Sequence, residues 1–216
     1  MVGDYYKQNI SFKDKILSLD YTLIVLILIL GIVSVFAMYS TERGNFDYYT
    51  KSHIYRFVVF FIIFLILSFL NIRIWFKSAY IFYFIILLLL IGVSLFGVTA
   101  SGSQRWINLF IFNLQPSELM KVALIIFLAR FYNKIPFKDV NHIKFMIIPI
   151  FALFIPSALV LKQPDLGTAA LIVISGLSVV WLSGFRIKFF AFSSIILVCL
   201  APVVIAFLEP YQKLRI

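Results

Sequence analysis

The sequence predicts an all-α fold: a polytopic membrane helix bundle of about seven transmembrane helices, forming a single domain over residues 1–216. Three observations predict it. Hydrophobic residues make up 63% of the chain and charged ones only 13%, where a soluble domain is roughly half apolar and a quarter charged. The charged residues fall between long apolar runs instead of lining one face of each run. The runs themselves approach the ~20 residues a helix needs to cross about 30 Å of hydrocarbon, a solvent in which only helices and closed barrels satisfy their own backbone.

The expected spans lie near 20–41, 54–72, 79–98, 116–132, 145–161, 166–184 and 188–208. The first is long and ends without a small-x-small cleavage site, so it reads as an uncleaved anchor. The second has a short charge-free centre, and Arg56 and Arg73 at its ends have stems long enough to snorkel. The fourth carries Glu118 and Lys121 in its first turns, so its start must be buried in protein or wet. The greater share of Lys and Arg falls in segments that are cytoplasmic if the N-terminus is cytoplasmic, which sets the expected orientation.

The net charge of +10 would suggest nucleic acid in a soluble protein. Here the basic residues sit in short loops between spans, so anionic lipid head groups explain them better and no nucleic-acid partner is expected. The lone Cys199 can form no internal disulfide and has no metal-site spacing. His53 and His142 read as solvated loop residues, and no metal site is expected. Trp106, Trp181, Tyr132 and Tyr211 read as interface anchors, and Gly92, Gly97 and Gly176 as places of close helix approach.

Chemistry gathers at one echo. Gln115-Pro116-Ser117-Glu118 and Gln163-Pro164-Asp165-Leu166 each put Gln-Pro and an acid at the start of a span. Proline suits the first helical position, where its missing N–H costs nothing, and an acid in the first turn complements the helix dipole. Both starts are expected at the outer leaflet, Pro116 and Pro164 each opening a helix. Arg105, Lys121 and Lys162 bring cations to the same place. Helix N-termini and cations together suit a lipid-linked phosphate or pyrophosphate. Lys121 is expected to meet Asp165 across the helix interface, with Glu118 close by. The plainer alternative is a structural Glu118–Lys121 pair within one helix, with Asp165 as a cap.

A family resemblance enters on these residues. Gly102-Ser103-Gln104-Arg105-Trp106-Ile107, Gln115-Pro116-Ser117-Glu118-Leu119-Met120-Lys121 and Lys162-Gln163-Pro164-Asp165-Leu166-Gly167-Thr168-Ala169 resemble the shape, elongation, division and sporulation family of peptidoglycan glycosyltransferases, most of all its elongation branch. Met38-Tyr39-Ser40 and Tyr211-Gln212-Lys213-Leu214-Arg215 fit the same pattern, in order and at consistent spacing. The resemblance implies a ten-span fold in the bacterial cytoplasmic membrane. It implies polymerisation of lipid II during cell elongation and rod-shape maintenance, with a class B penicillin-binding protein as partner. It implies substrate-binding roles for Arg105, Glu118, Lys121 and Asp165. The family's catalytic aspartate lies in an outer loop after the seventh span, so the general base is expected beyond Ile216 and the chain is expected to be a portion inactive alone. No cofactor is identifiable, with a divalent cation left open. Two other function classes fit intramembrane charge: a flippase for a lipid-linked precursor, and a non-catalytic scaffold for a transpeptidase.

Overall fold

The computed structural model describes residues 11–100, 103–108, 113–186, 188 and 190. The last expected span, 188–208, lies almost wholly outside the described residues, as do Cys199, Glu209 and Tyr211. The described chain is a set of helices: α1 (Phe12–Leu17), α2 (Tyr21–Thr41), α3 (Tyr48–Ser68), α4 (Ile72–Phe96), α5 (Pro116–Tyr132), α6 (Lys144–Lys162) and α7 (Leu166–Leu182). Of these, α2, α3, α4 and α6 are long and apolar enough to cross a membrane, and α7 is apolar but shorter. The chain divides into two units, Met1–Ile72 and Arg73–Ile216.

In the first unit α2 opens on Asp20, whose carboxylate accepts the Leu23 N–H at 3.0 Å. The chain then turns through Arg43 and Gly44, both left-handed with φ of 56° and 81°. Glu42 closes α2 and starts α3: its carboxylate accepts the N–H groups of Asp47, Tyr49 and Thr50 at 3.2, 2.8 and 2.9 Å. These are the orphan donors of a helix start, and a carboxylate suits the positive end of the dipole. That capping explains why α3 begins at Tyr48, ahead of its apolar stretch. The polar first turns therefore belong to the helix, and His53 with them. The expectation of a solvated loop histidine is corrected: His53 Nε2 lies 2.8 Å from Ser34 Oγ on α2. Because that hydroxyl donates to Gly31 O at 2.7 Å, it accepts from His53. A side chain on Gly31 would overlap the Phe57 ring, so the two helices touch there.

In the second unit α4 to α7 run alternately up and down around a core that includes Leu90, Met120, Leu124, Leu128, Val160 and Ile172. At Gly176 of α7 an added methyl would overlap Leu153 of α6 and come within 3.0 Å of Leu124 of α5, so three helices converge on a missing side chain. Gly92 meets nothing within 4 Å, which corrects its expected packing role. Tyr132 is also corrected: it is buried, edge-on to Phe185 with ring centroids 6.2 Å apart, and is no interface anchor. Inside α6 lie Pro149 and Pro156. Proline has no N–H to give to the carbonyl four residues earlier, and at Ala152 the vacancy is filled by the Tyr83 hydroxyl of α4, donating at 2.9 Å.

The link from α4 to α5 departs from a purely helical reading. It contains three short antiparallel strands, β1 (Val98–Ala100), β2 (Ser103–Asn108) and β3 (Asn113–Leu114), in the order β1-β2-β3. Ala100 pairs with Ser103, and Ile107 with Leu114. A connection at a bundle's end must still find partners for its backbone polar groups, and pairing with itself does so.

Candidate functional site

Three connections meet above the core of the second unit: the β2 strand, the Gln115–Pro116 entry to α5, and the α6–α7 turn. Pro116 takes the first position of α5, where no N–H is needed. The second turn is built differently from the expectation. Asp165 is the cap of α7, not part of its first turn, and Pro164 stands before the cap; the helix opens at Leu166. Asp165 Oδ1 accepts the Thr168 N–H at 3.2 Å. Its Oδ2 faces Arg105 Nη1 at 3.3 Å and accepts from Gln115 Nε2 at 3.3 Å.

Arg105 does more than pair with Asp165. Its Nε donates to Gln163 O at 3.2 Å and its Nη2 to Pro164 O at 2.8 Å. One planar fork thus holds two successive carbonyls and the carboxylate that follows them, a use for which guanidinium geometry is suited and an ammonium is not. The turn is held from below as well. Gln163 is buried, and its Nε2 donates to Leu90 O at 3.2 Å and to Ser94 Oγ at 3.1 Å on α4. Gln115 also donates to Ser117 Oγ at 3.1 Å. Gln163 and Gln115 are the functional-looking residues that reasoning from charge passes over, though the repeated Gln-Pro already marks both.

Lys121 does not meet Asp165. It is bound to Glu118 within α5, Nζ lying 3.0 and 2.9 Å from the two carboxylate oxygens. The correction has a simple cause. Glu118 is three residues away on the same helix face, always within reach, while Asp165 is claimed by a bidentate-capable arginine arriving from β2. Lys162 ends α6 exposed, where a cation suits the negative end of the helix dipole.

The arrangement has two halves of different character. Arg105 and Asp165 are 22% and 12% exposed and are fixed by each other, by Gln115, by the Thr168 N–H and by the carbonyls of Gln163 and Pro164. Lys121 and Glu118 are 23% and 54% exposed, so this pair keeps one wet face. An ammonium has three N–H donors, so one held by a carboxylate at a helix start can still offer a donor to a phosphate oxygen. Among the described residues no group of three His, Cys, Asp or Glu side chains could hold a metal ion.

The family model of FtsW, RodA and SpoVE cell cycle proteins matches residues 16–216. The chain belongs to this family. It is 31% identical over 209 residues to the peptidoglycan glycosyltransferase MrdB of Escherichia coli (strain K12), covering 95% of this chain and 55% of that protein. It is 34% identical over 205 residues to MrdB of Helicobacter pylori (strain ATCC 700392 / 26695), covering 92% of this chain and 51% of that one. Among solved structures, a chain of a peptidoglycan synthase complex, described as coordinating polymerization and crosslinking, matches with TM-score 0.74 at 25% identity, over 92% of this chain and 58% of that chain. RodA of Thermus thermophilus shares the fold with TM-score 0.73 at 24% identity, over 85% and 60% of the two chains. This FtsW/RodA/SpoVE chain spans about half the length of the curated relatives it matches.

Proposed function

We propose that this chain supplies the substrate-cradling half of a glycosyltransferase that polymerises lipid II during cell elongation and rod-shape maintenance. It would sit in the bacterial cytoplasmic membrane with its N-terminus in the cytoplasm and a class B penicillin-binding protein as transpeptidase partner. The observation that carries the reading is the half-exposed Glu118–Lys121 pair at the start of α5, beside the fixed Arg105–Asp165 contact at the start of α7. The reaction joins a sugar hydroxyl to the anomeric carbon of a second lipid-linked sugar and expels a lipid pyrophosphate. Charge develops on the leaving pyrophosphate, and preorganised donors aimed at it lower the barrier. Lys121 meets a phosphate oxygen while Glu118 keeps the ammonium in place. Arg105, Gln163 and Asp165 hold the α6–α7 turn and with it the N-terminus of α7. No general base is assigned within residues 1–216; the resemblance puts it in the half of the relatives that this chain does not span.

The test uses the full-length protein with its transpeptidase in vesicles and labelled lipid II. Lys121→Ala and Glu118→Gln are expected to lower glycan output by about a hundredfold or more, the usual effect of losing one charge-stabilising donor, with folding and partner binding intact. Undiminished polymer would remove the pair from the site. Movement of labelled lipid II across the bilayer without polymer would favour the flippase reading. An unaltered phenotype in every variant that still binds the transpeptidase would favour the scaffold.

A further inference from the structure

We propose that the opposite end of the second unit holds the phosphodiester head group of an anionic membrane lipid, among Lys77, Arg130 and Lys134 around the ring of Tyr80. This end is well removed from the Arg105–Asp165 cluster. Ser94 lies beside the α6–α7 turn, and at about 1.5 Å per residue Lys77 is roughly 25 Å away along α4.

The argument begins with an arrangement that leaves positive charge uncompensated. The Arg130 guanidinium lies 4.4 Å from the Tyr80 centroid and 5.9 Å from that of Phe76. Lys134 Nζ lies 5.9 Å from the same Tyr80 ring. Arg130 Nη1 donates to the backbone carbonyl of Lys77, an exposed lysine near the start of α4. Arg130 lies in the last turn of α5 and Lys134 just past its Asn133 cap, so two cations approach the same Tyr80 ring. An aromatic face attracts each cation but neutralises neither. The Lys77 and Lys134 ammonium groups pair with no acid among the described residues, and Arg130 Nε is buried without an acceptor.

The wider surroundings do not supply the missing anion. The Arg186 N–H donates to Asn141 Oδ1 at 3.1 Å, so the end of α7 meets the α5–α6 connection here. Lys138, Lys144 and Arg186 are all exposed on these connections. The acid among the described residues of the same connections is Asp139, 3.8 Å from His142. Two cations on one ring at the end of apolar helices, with further exposed cations on the connections and the acid Asp139 set against His142, fit an anion from outside the protein.

The rim identifies the anion's carrier. Ile81 and Phe84, one and two turns beyond Lys77 on α4, are 64% and 56% exposed. Apolar surface directly beyond the cations suits acyl chains beneath a phosphate, and basic pockets between helices are the usual form of head-group sites. A free phosphate would gain nothing from that surface.

The experiment uses the full-length protein in discs of phosphatidylcholine with or without phosphatidylglycerol, with retained lipid counted by native mass spectrometry after transfer to detergent. Lys77→Gln and Lys134→Gln are each expected to weaken phosphatidylglycerol retention about fivefold, equivalent to about 1 kcal/mol per cation. The double variant is expected to lose more, while Lys162→Gln at the other end has no effect. Arg130→Lys, which keeps the charge and loses the planar fork, is expected to weaken retention too. Thermal midpoints in pure phosphatidylcholine show that the variants are folded, and the single variants are read if the double is not. Wild-type retention in the folded Lys77/Lys134 variants, an equal loss in Lys162→Gln, or displacement of the lipid by inorganic phosphate would each overturn the proposal.

Discussion

Replacing Arg105 with Ala removes two charge-assisted donations, to Gln163 O and Pro164 O, and the partner of Asp165. Hydrogen bonds to charged groups contribute about 1.5–3 kcal/mol each, and stripping the partner from a fully buried pair costs about 3–5 kcal/mol. Arg105 and Asp165 retain 22% and 12% exposure, so part of the loss is returned by water and the net cost is expected near 3 kcal/mol. Asp165→Asn keeps a competent cap and should cost about 1–2 kcal/mol. A double-mutant cycle separates contact from coincidence. Arg105→Ala with Asp165→Asn should show a coupling of about 1–2 kcal/mol, and Lys121→Ala with Asp165→Asn less than about 0.5 kcal/mol. The assay is equilibrium unfolding of the full-length protein in mild detergent. A near-zero Arg105–Asp165 coupling, or a Lys121–Asp165 coupling above about 1 kcal/mol, would refute the pairing described here and restore the interhelical Lys121–Asp165 contact.

Three further outcomes are expected. Gly176→Ala should destabilise by about 1–3 kcal/mol because Leu153 must move, whereas Gly92→Ala should be neutral or gain up to about 1 kcal/mol of helix propensity; thermal midpoints of the two variants compare them directly. At Glu42 burial raises the carboxyl pKa, but the hydrogen bonds from Thr50, Tyr49 and Asp47 outweigh it and hold it below the ordinary 4.5. A folded pKa below the unfolded one means the stabilisation is present above the unfolded value and is lost as pH falls through the folded one, so the protection of the Tyr49 and Thr50 amides, relative to their intrinsic exchange at the same pH, should fall in acid and Glu42→Gln should abolish that acid dependence. In intact cells Ser103→Cys should react with an impermeant thiol reagent and Lys138→Cys should not, the reverse result inverting the proposed orientation.

The helical membrane bundle was legible because its signal is cumulative: apolar runs with charges confined between them. Single residues were legible where one rule acts alone, as at Pro116. Errors arose where a local partner competed with a distant one. Nothing in the spacing of Lys121 and Asp165 shows that Glu118 lies nearer to one and Arg105 nearer to the other, because Arg105 reaches the turn only once β2 is paired. The strands were missed for want of length, since none exceeds the six residues of Ser103–Asn108. His53 was placed outside its helix because the first turns of α3 are polar and their cap, Glu42, belongs to the preceding element. The fixed half of the candidate site was half legible: the acid and cations stood out, while Gln163 and Gln115 act through geometry that charge does not report.

The vacancy at Ala152 has a consequence for assembly. Between helices in lipid there is little hydrophobic preference for one alignment over another, since a leucine is as well solvated by acyl chains as by its neighbour. Pro156 breaks that indifference by leaving one carbonyl of α6 without its donor, and Tyr83 has a hydroxyl that must donate somewhere. A shift of α4 by one turn would orphan both groups at once. A defect in one helix thereby acts as an address for the other. The two residues should then tolerate replacement only as a pair, Pro156 by a helix-former with an N–H and Tyr83 by Phe, and a change to either alone should let the helices slide.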